Sequence, residues 1–441
     1  MIKKMITFTL FISFTMFPIE SNAQQDQLLV VTPDTSIQQV INKAPEGGKV
    51  VITKGVYVEN IIIEKPIYLI AEEGVVLHGN NTGSVITINS PEVIVEGFHI
   101  TQSGRDDNDA GIFVKSSNVT IKSNTFTDVH FGIYVEGNDN LIVNNFITSY
   151  PVHFAKRGNG VHLFSGNNNV VKENTINEVQ DGVYIDFATN SKVIDNEITQ
   201  SRYAVHFMYG EGGVVQGNYL VSNINGLMIM ASERIHIYAN TFAKQLSYHG
   251  YGALIYDSDN ITLMDNKIIQ NSNGIALQNA RQCEVNHNAV AGNHVGISIL
   301  ANNEGCKITN NNFMGNVAQI KLITEEKGFY NNYWDDYRSF DLSGDGIGEI
   351  PYKTGSMYNE ILSRQPYIQF YFESPAIKMW TTVESMVPSL SVANIVDPFP
   401  LVEPISISTE TTEMHERNIA IGFIAILFLL ISSFIFYIGR M

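Results

Sequence analysis

Two short stretches set 22 residues apart carry the side chains of this 441-residue sequence best suited to holding a soft metal ion: Ala204-Val205-His206-Phe207-Met208 and Gly226-Leu227-Met228-Ile229-Met230. In each, apolar residues alternate with imidazole or thioether side chains, and a strand sends two alternating sets to opposite faces. Val205, Phe207, Leu227 and Ile229 then turn to a core, while His206, Met208, Met228 and Met230 turn outward. Exposed Met at three of four outward positions is unusual for a solvated surface. Imidazole with thioether suits copper, above all Cu(I); Mg and Ca want oxygen ligands, and zinc more usually recruits Cys or a third His. The competing reading is an adaptable packing surface, under a long loop or against a partner.

A repeat must position these side chains. Rungs open at Gly111, Gly132, Gly160, Gly182, Ala204, Gly226, Gly252, Gly274 and Gly296, with successive spacings of 21, 28, 22, 22, 22, 26, 22 and 22. Each reads Gly, apolar, variable, apolar, and closes with an Asn near a second apolar pair, as at Asn174, Asn196, Asn218, Asn240, Asn266 and Asn288. A period of about 22 with several short strands per turn and no helical pattern predicts an all-β chain, a right-handed parallel β-helix of the pectin-lyase-like kind. The repeated Gly suits corners and close backbone approach, and stacked Asn can bond from coil to coil, so both have structural duties. Neighbouring coils stack at about 4.8 Å, which sets His206 beside Met228 and Met208 beside Met230. His162 falls in the same outward column two coils from His206, and Asp186 lies one coil away. Two insertions break the period, within residues 150–157 with His153 and near 246–250 with Tyr248 and His249. Insertions in solenoids gather on one face, often the binding face, so His153 and His249 join His162, His206, Met208, Met228 and Met230 as candidate metal ligands.

Other residues offer less. Cys283 and Cys306, the only two cysteines, occupy matching inward positions in adjacent rungs, which leaves both a disulfide and buried free thiols open. Residues 341–349 alternate Asp341, Ser343, Asp345 and Glu349 in a Gly-rich loop that lacks the full ligand set of an EF-hand, so a turn-rich cap is the expectation over a calcium site. A β-helix outside the cytoplasm could also be a carbohydrate lyase or epimerase, which needs paired carboxylates or a basic residue on one groove. Here Glu136 and Asp186 stand two coils apart among Phe, Tyr, Met and His.

The ends place the chain. Lys3 and Lys4, an apolar run and Ser21-Asn22-Ala23 form a signal peptide over residues 1–23. A short capping helix over 36–44 opens an N-terminal cap with the first coils at 24–110; regular rungs follow at 111–325, and an aromatic, Gly-rich cap at 326–365. Residues 366–417, rich in Pro, Ser and Glu, read as an irregular tether to residues 418–438, which carry no charge and are long enough for a transmembrane helix. The formal net charge of -17 argues against nucleic acid as a partner.

With the rungs and the cap in view, the chain resembles the NosD family, periplasmic β-helical proteins of nitrous oxide reductase maturation. The specific part is Asn331-Asn332-Tyr333-Trp334-Asp335-Asp336-Tyr337 with Phe340-Asp341 and Gly344-Asp345-Gly346-Ile347-Gly348. The resemblance implies no enzymatic activity but delivery of copper, held in transit, to apo nitrous oxide reductase for its copper and sulfur cluster. It implies an ABC transporter ATPase and permease and a copper chaperone as partners. The helix at 418–438 would then hold the protein to the inner membrane beside the permease. The family supplies no ligand set, so the candidate ligands above come from the rung register.

Overall fold

The computed structural model describes residues 28–106, 108–322, 328–354, 365, 368, 371, 374–386 and 394–407. The chain winds through three parallel sheets of 14, 13 and 12 strands, and every strand but the end strands of each sheet pairs with its equivalents one coil before and after. Neighbours in each sheet are separated in sequence by one full coil, which makes the body a parallel β-solenoid with all three sheets facing one long core.

The expected register holds. In the 12-stranded sheet Tyr134 pairs with His162, His162 with Tyr184, Tyr184 with His206 and His206 with Met228; Met208 pairs with Met230. Strict alternation buries Val205, Phe207, Leu227 and Ile229 completely. The rung-opening glycines are there for close approach: a Cβ on Gly182 would fall 2.4 Å from the carbonyl oxygen of Ala204 and equally near an Ile198 methyl.

The Asn residues form a buried ladder from Asn124 to Asn332. Beyond Asn124, whose oxygen accepts from the Phe98 N–H, each side-chain oxygen accepts the backbone N–H of the Asn one coil earlier, as Asn218 does from Asn196 at 2.9 Å. The Asn218 amide donates to the carbonyls of Val193 (2.8 Å) and Gln216 (3.0 Å) and to the next Asn240 oxygen (2.9 Å). The residue before each ladder position turns through the left-handed region, for instance Asp195 at φ 53° and Asp265 at φ 54°. That turn diverts the backbone from its sheet, and the ladder satisfies the polar groups the corner would otherwise bury unpaired.

Helix α1 (Ile37–Lys43) closes the N-terminal end, with Ser36 as its cap and Ile37 and Ile41 buried. The Glu59 carboxylate accepts from the N–H groups of Ile37 (2.7 Å) and Gln38 (3.2 Å), the helix N-terminus where negative charge is favoured.

At the other end the structure corrects the reading of 366–417 as an irregular tether. Helix α2 (Pro375–Met386) sits in this stretch, and Ile377 packs on Val295 and Ala318. The strand Asn394–Asp397 pairs antiparallel with Tyr352–Thr354. Asp397, fully buried, ends the Asn ladder by accepting from the backbone and side-chain N–H groups of Asn332 at 2.9 and 3.1 Å and from the Trp334 indole at 3.3 Å. A single carboxylate can accept all three donors, which is why a cap residue 65 positions away completes the ladder. Trp334 is stacked between Phe313 and Tyr352 at 4.4 and 4.5 Å. Cys283 and Cys306 are joined in a disulfide. The expected signal peptide (1–23) and transmembrane segment (418–438) lie outside the described residues; among the described residues no helix is long and apolar enough to cross a membrane.

Candidate functional site

Outward-pointing does not mean exposed here. His162, His206 and Met228 are buried, and Met208 and Met230 are half-buried, which corrects the expectation of exposed thioethers. The cause is the ladder itself. Rings one coil apart lie edge-on, tilted or stacked, with centroids 4.7 Å apart for Tyr134 and His162, for His162 and Tyr184, and for Tyr184 and His206. Large flat side chains at strand spacing cover one another and exclude water from the faces between them.

Beneath His206 lies a charged group that sequence reading missed. Asp181 is fully buried and accepts from both Arg202 Nε (2.8 Å) and Nη2 (2.7 Å), and its Oδ2 lies 3.0 Å from His206 Nδ1. Burial pushes the Asp181 carboxyl up, but the hydrogen bonds from His206 and Arg202 outweigh it and hold the group below the usual carboxylate range. An ionised carboxylate only accepts, so Nδ1 of His206 carries the hydrogen in this bond. In the neutral ring Nε2 then holds the lone pair, and that atom is buried without a hydrogen-bond partner. A carboxylate that fixes one imidazole nitrogen and presents the other is the arrangement that orients metal-binding histidines.

His162 is orphaned on both nitrogens. Its Nε2 stands 3.9 Å from Asp186 Oδ2, too far to hydrogen-bond. Burial lowers its pKa to about 4, with Asp181 pulling upward and His206 downward, so the ring is neutral near pH 7. Burial also raises Asp186, and it raises the hydroxyls of Tyr134, to about 12, and of Tyr184, which Asp186 pushes further. The Tyr184 hydroxyl donates to Met208 Sδ at 3.2 Å.

The seven candidate ligands therefore divide. His162, His206, Met208, Met228 and Met230 share one patch of adjacent strands, Val161–Phe164, Asp181–Asp186, Tyr203–Met208 and Asn225–Met230. His153 and His249 stand exposed on the insertion loops: His153 accepts from Ala155 N–H at 3.4 Å, and His249 packs on Tyr248. Neither bonds or packs against the column among the described residues. The two insertions line a common groove of about 620 Å³ with Arg157, Glu178, Lys244 and Leu246. Among the described residues no three His, Cys, Asp or Glu side chains gather in a group that could hold a metal, so a soft ion here would depend on thioethers with one or two imidazoles. In the loop at 341–349, Asp341 accepts from Gly346 N–H (2.8 Å), Gly344 N–H (2.6 Å) and the Ser343 hydroxyl (3.2 Å). Those bonds, Gly346 first, hold its carboxyl below the usual range and use the oxygens a calcium ion would need.

Residues 143–360 match the model of a family described as periplasmic copper-binding protein (NosD), and residues 46–176 match that of the right-handed β-helix region. A Pseudomonas aeruginosa protein named probable ABC transporter binding protein NosD is 27% identical over 385 residues, covering 82% of this chain and 89% of its own length. A protein of Stutzerimonas stutzeri with the same name is 27% identical over 372 residues, covering 79% of this chain and 85% of its own. These matches support assignment of the chain to the NosD family. NosD proteins thus carry a description as periplasmic and copper-binding, and the named relatives one as binding proteins of an ABC transporter. Among solved structures, the A-module of the Azotobacter vinelandii mannuronan C-5 epimerase AlgE6 matches with a TM-score of 0.53 at 13% identity, over 66% of this chain and 92% of its own. The Streptococcus pneumoniae surface adhesin PfbA matches with a TM-score of 0.55 at 14% identity, over 66% and 91%. An enzyme and an adhesin on one architecture show the right-handed solenoid and nothing about activity.

Asp181 and Arg202 were legible only in part. Asp181 precedes the rung-opening Gly182, a corner position held by Asn159 and Tyr203 in the neighbouring coils, and a lone carboxylate there is a signal. That it turns under His206 one coil on depends on side-chain direction at the corner, which the period does not encode.

Proposed function

We propose that this chain is a non-enzymatic maturation factor of the periplasm that takes up Cu(I) in transit and passes it to apo nitrous oxide reductase for its copper and sulfur cluster. It works with the ATPase and permease of an ABC transporter, receives the ion from a copper chaperone, and is held to the inner membrane by residues 418–438. The donors are His206, Met208, Met228 and Met230 with His162; His153 and His249 on the flanking loops are accessory donors.

The observation that supports this reading most is the buried, unpartnered Nε2 of His206, set by Asp181 and next in register to Met228. A buried acceptor without a partner costs about 1–3 kcal/mol, and a soft cation relieves that cost without bringing a proton. Thioethers are neutral, so they bind such an ion without holding it by charge, which suits a cargo that must leave again. The carbohydrate-acting alternative has only the fold on its side. The tyrosines have raised pKa values and so stay protonated near pH 7, leaving no phenolate to act as the base, and Arg202 is taken up by Asp181.

The test is anaerobic Cu(I) competition against a chromophoric chelator. The wild-type protein should bind, and the folded variant with His206, Met208, Met228 and Met230 all changed to Ala should lose at least tenfold in affinity. Undiminished binding by that variant would sink the site, and absence of binding by the wild type would sink the copper reading.

A further inference from the structure

The C-terminal end of the solenoid carries an apolar patch that neither the core nor the His and Met column uses. Phe340, Leu342, Ile350 and Phe399 are each half or more exposed, and Leu342 stands out at 79%. They sit on two loops tied together by the backbone. Glu349 N–H donates to the Phe340 carbonyl at 3.2 Å, Gly348 N–H to that of Pro400 at 2.8 Å and Val402 N–H to that of Gly346 at 3.1 Å. The Tyr330 ring stacks on Phe399 at 6.5 Å. Single exposed apolar residues are ordinary, but four large ones on hydrogen-bonded loops at one end of a solenoid mark a contact surface.

The chain leaves from the same end. The Asn312 side chain brackets Ile405, donating to its carbonyl at 2.8 Å and accepting its N–H at 2.9 Å, beside the last coils. The described residues end at 407, and 11 residues further on the sequence enters the uncharged run at 418–438. Eleven residues reach at most about 40 Å. Whatever layer receives that run lies close to this cap.

We propose that the C-terminal cap rests on a phospholipid bilayer, with Phe340, Leu342, Ile350 and Phe399 dipping into its interfacial region and the solenoid standing up from it. This rests on the reading of 418–438 as a membrane span. Asp341, Asp345 and Glu349 interleave with the apolar tips and would be repelled by anionic headgroups, so the surface is zwitterionic. The orientation fixes a height for the copper site. Asn225–Met230 lies four strands from the last strand of its sheet, which at about 4.8 Å per coil is roughly 20 Å above the cap. Gly55–Val58, 12 strands from the end of its own sheet, stands roughly 60 Å up.

The test uses the full chain in phosphatidylcholine nanodiscs. Both native cysteines are in the disulfide, so a single Leu342→Cys or Val58→Cys takes a polarity-sensitive fluorophore without a competing thiol. The label at 342 should be blue-shifted and quenched severalfold by brominated lipid, and the label at 58 should be unaffected. Changing Phe340, Leu342 and Phe399 together to Ser should tilt the solenoid and raise energy transfer from the label at 58 to acceptor lipids at least twofold. A label at 342 that stays aqueous in disc-bound protein would overturn the proposal while leaving the anchor standing. Release of the protein from the discs by carbonate would overturn the anchor and the proposal together. Shielding of the label only after the permease is added would overturn the lipid assignment in favour of a protein contact.

Discussion

Replacing His162 by Phe removes a proton-binding site from the middle of the stacked column, and the effect is read in how stability depends on pH. Burial lowers the folded-state pKa of His162 from 6.5 to about 4. Because the folded value lies below the unfolded one, the unfolded chain binds the proton first as pH falls. The stability is therefore fully present above about pH 6.5 and is lost on descending toward pH 4. At about 1.4 kcal/mol per unit the whole loss is about 3 kcal/mol, of which about 2.5 kcal/mol is gone at pH 4.5. Phe fills the place of the imidazole and can keep the ring contacts with Tyr134 and Tyr184, so the variant should fold. The assay is urea unfolding of metal-free wild type and His162→Phe at pH 7.5 and 4.5. Carboxylates such as Asp181 titrate in both proteins and cancel from the comparison. The gap in stability between the two pH values should shrink by about 2.5 kcal/mol in the variant. Equal gaps would show that His162 is not held neutral by burial, and with that its reading as a preformed, uncharged donor would fail.

Tyr184→Phe frees the Met208 sulfur from its hydroxyl donor, and with a weak hydrogen bond of about 1 kcal/mol removed, Cu(I) affinity should rise about fivefold in chelator competition. Asn218→Ala deletes five hydrogen bonds, four of them buried, and leaves the Asn196 N–H without a partner, which should cost about 3–5 kcal/mol in denaturant unfolding; a loss under 1 kcal/mol would refute a structural ladder. The unreduced protein should show no thiol to alkylating reagents. Replacing Cys283 and Cys306 by Ala should lower stability by about 3 kcal/mol for a loop closed across 23 residues, measured by urea midpoint.

Much of this protein was legible in its sequence, because a solenoid writes its structure in one dimension. The spacing of the rung-opening residues set which coil follows which, and strict alternation set which side of each strand meets the core. Together they placed His206 against Met228 and Met208 against Met230, as the strand pairing shows. The Asn positions were likewise readable as a ladder, since a corner repeated every coil must satisfy its backbone groups in the same way each time.

The tertiary structure decided what the period does not carry. The column that should have been exposed is buried or half-buried, because Tyr134, His162, Tyr184 and His206 pack along the sheet and shield one another. Asp181 and Arg202 meet beneath His206 because two corner side chains from adjacent coils turn toward each other under the His206 strand. The ladder ends on Asp397, 65 residues beyond Asn332, in a stretch whose composition reads as a tether. Periodicity determines neighbours one coil apart. Side-chain direction at corners and the return of a distant segment over an open end are settled only when burial and hydrogen bonding are satisfied in three dimensions.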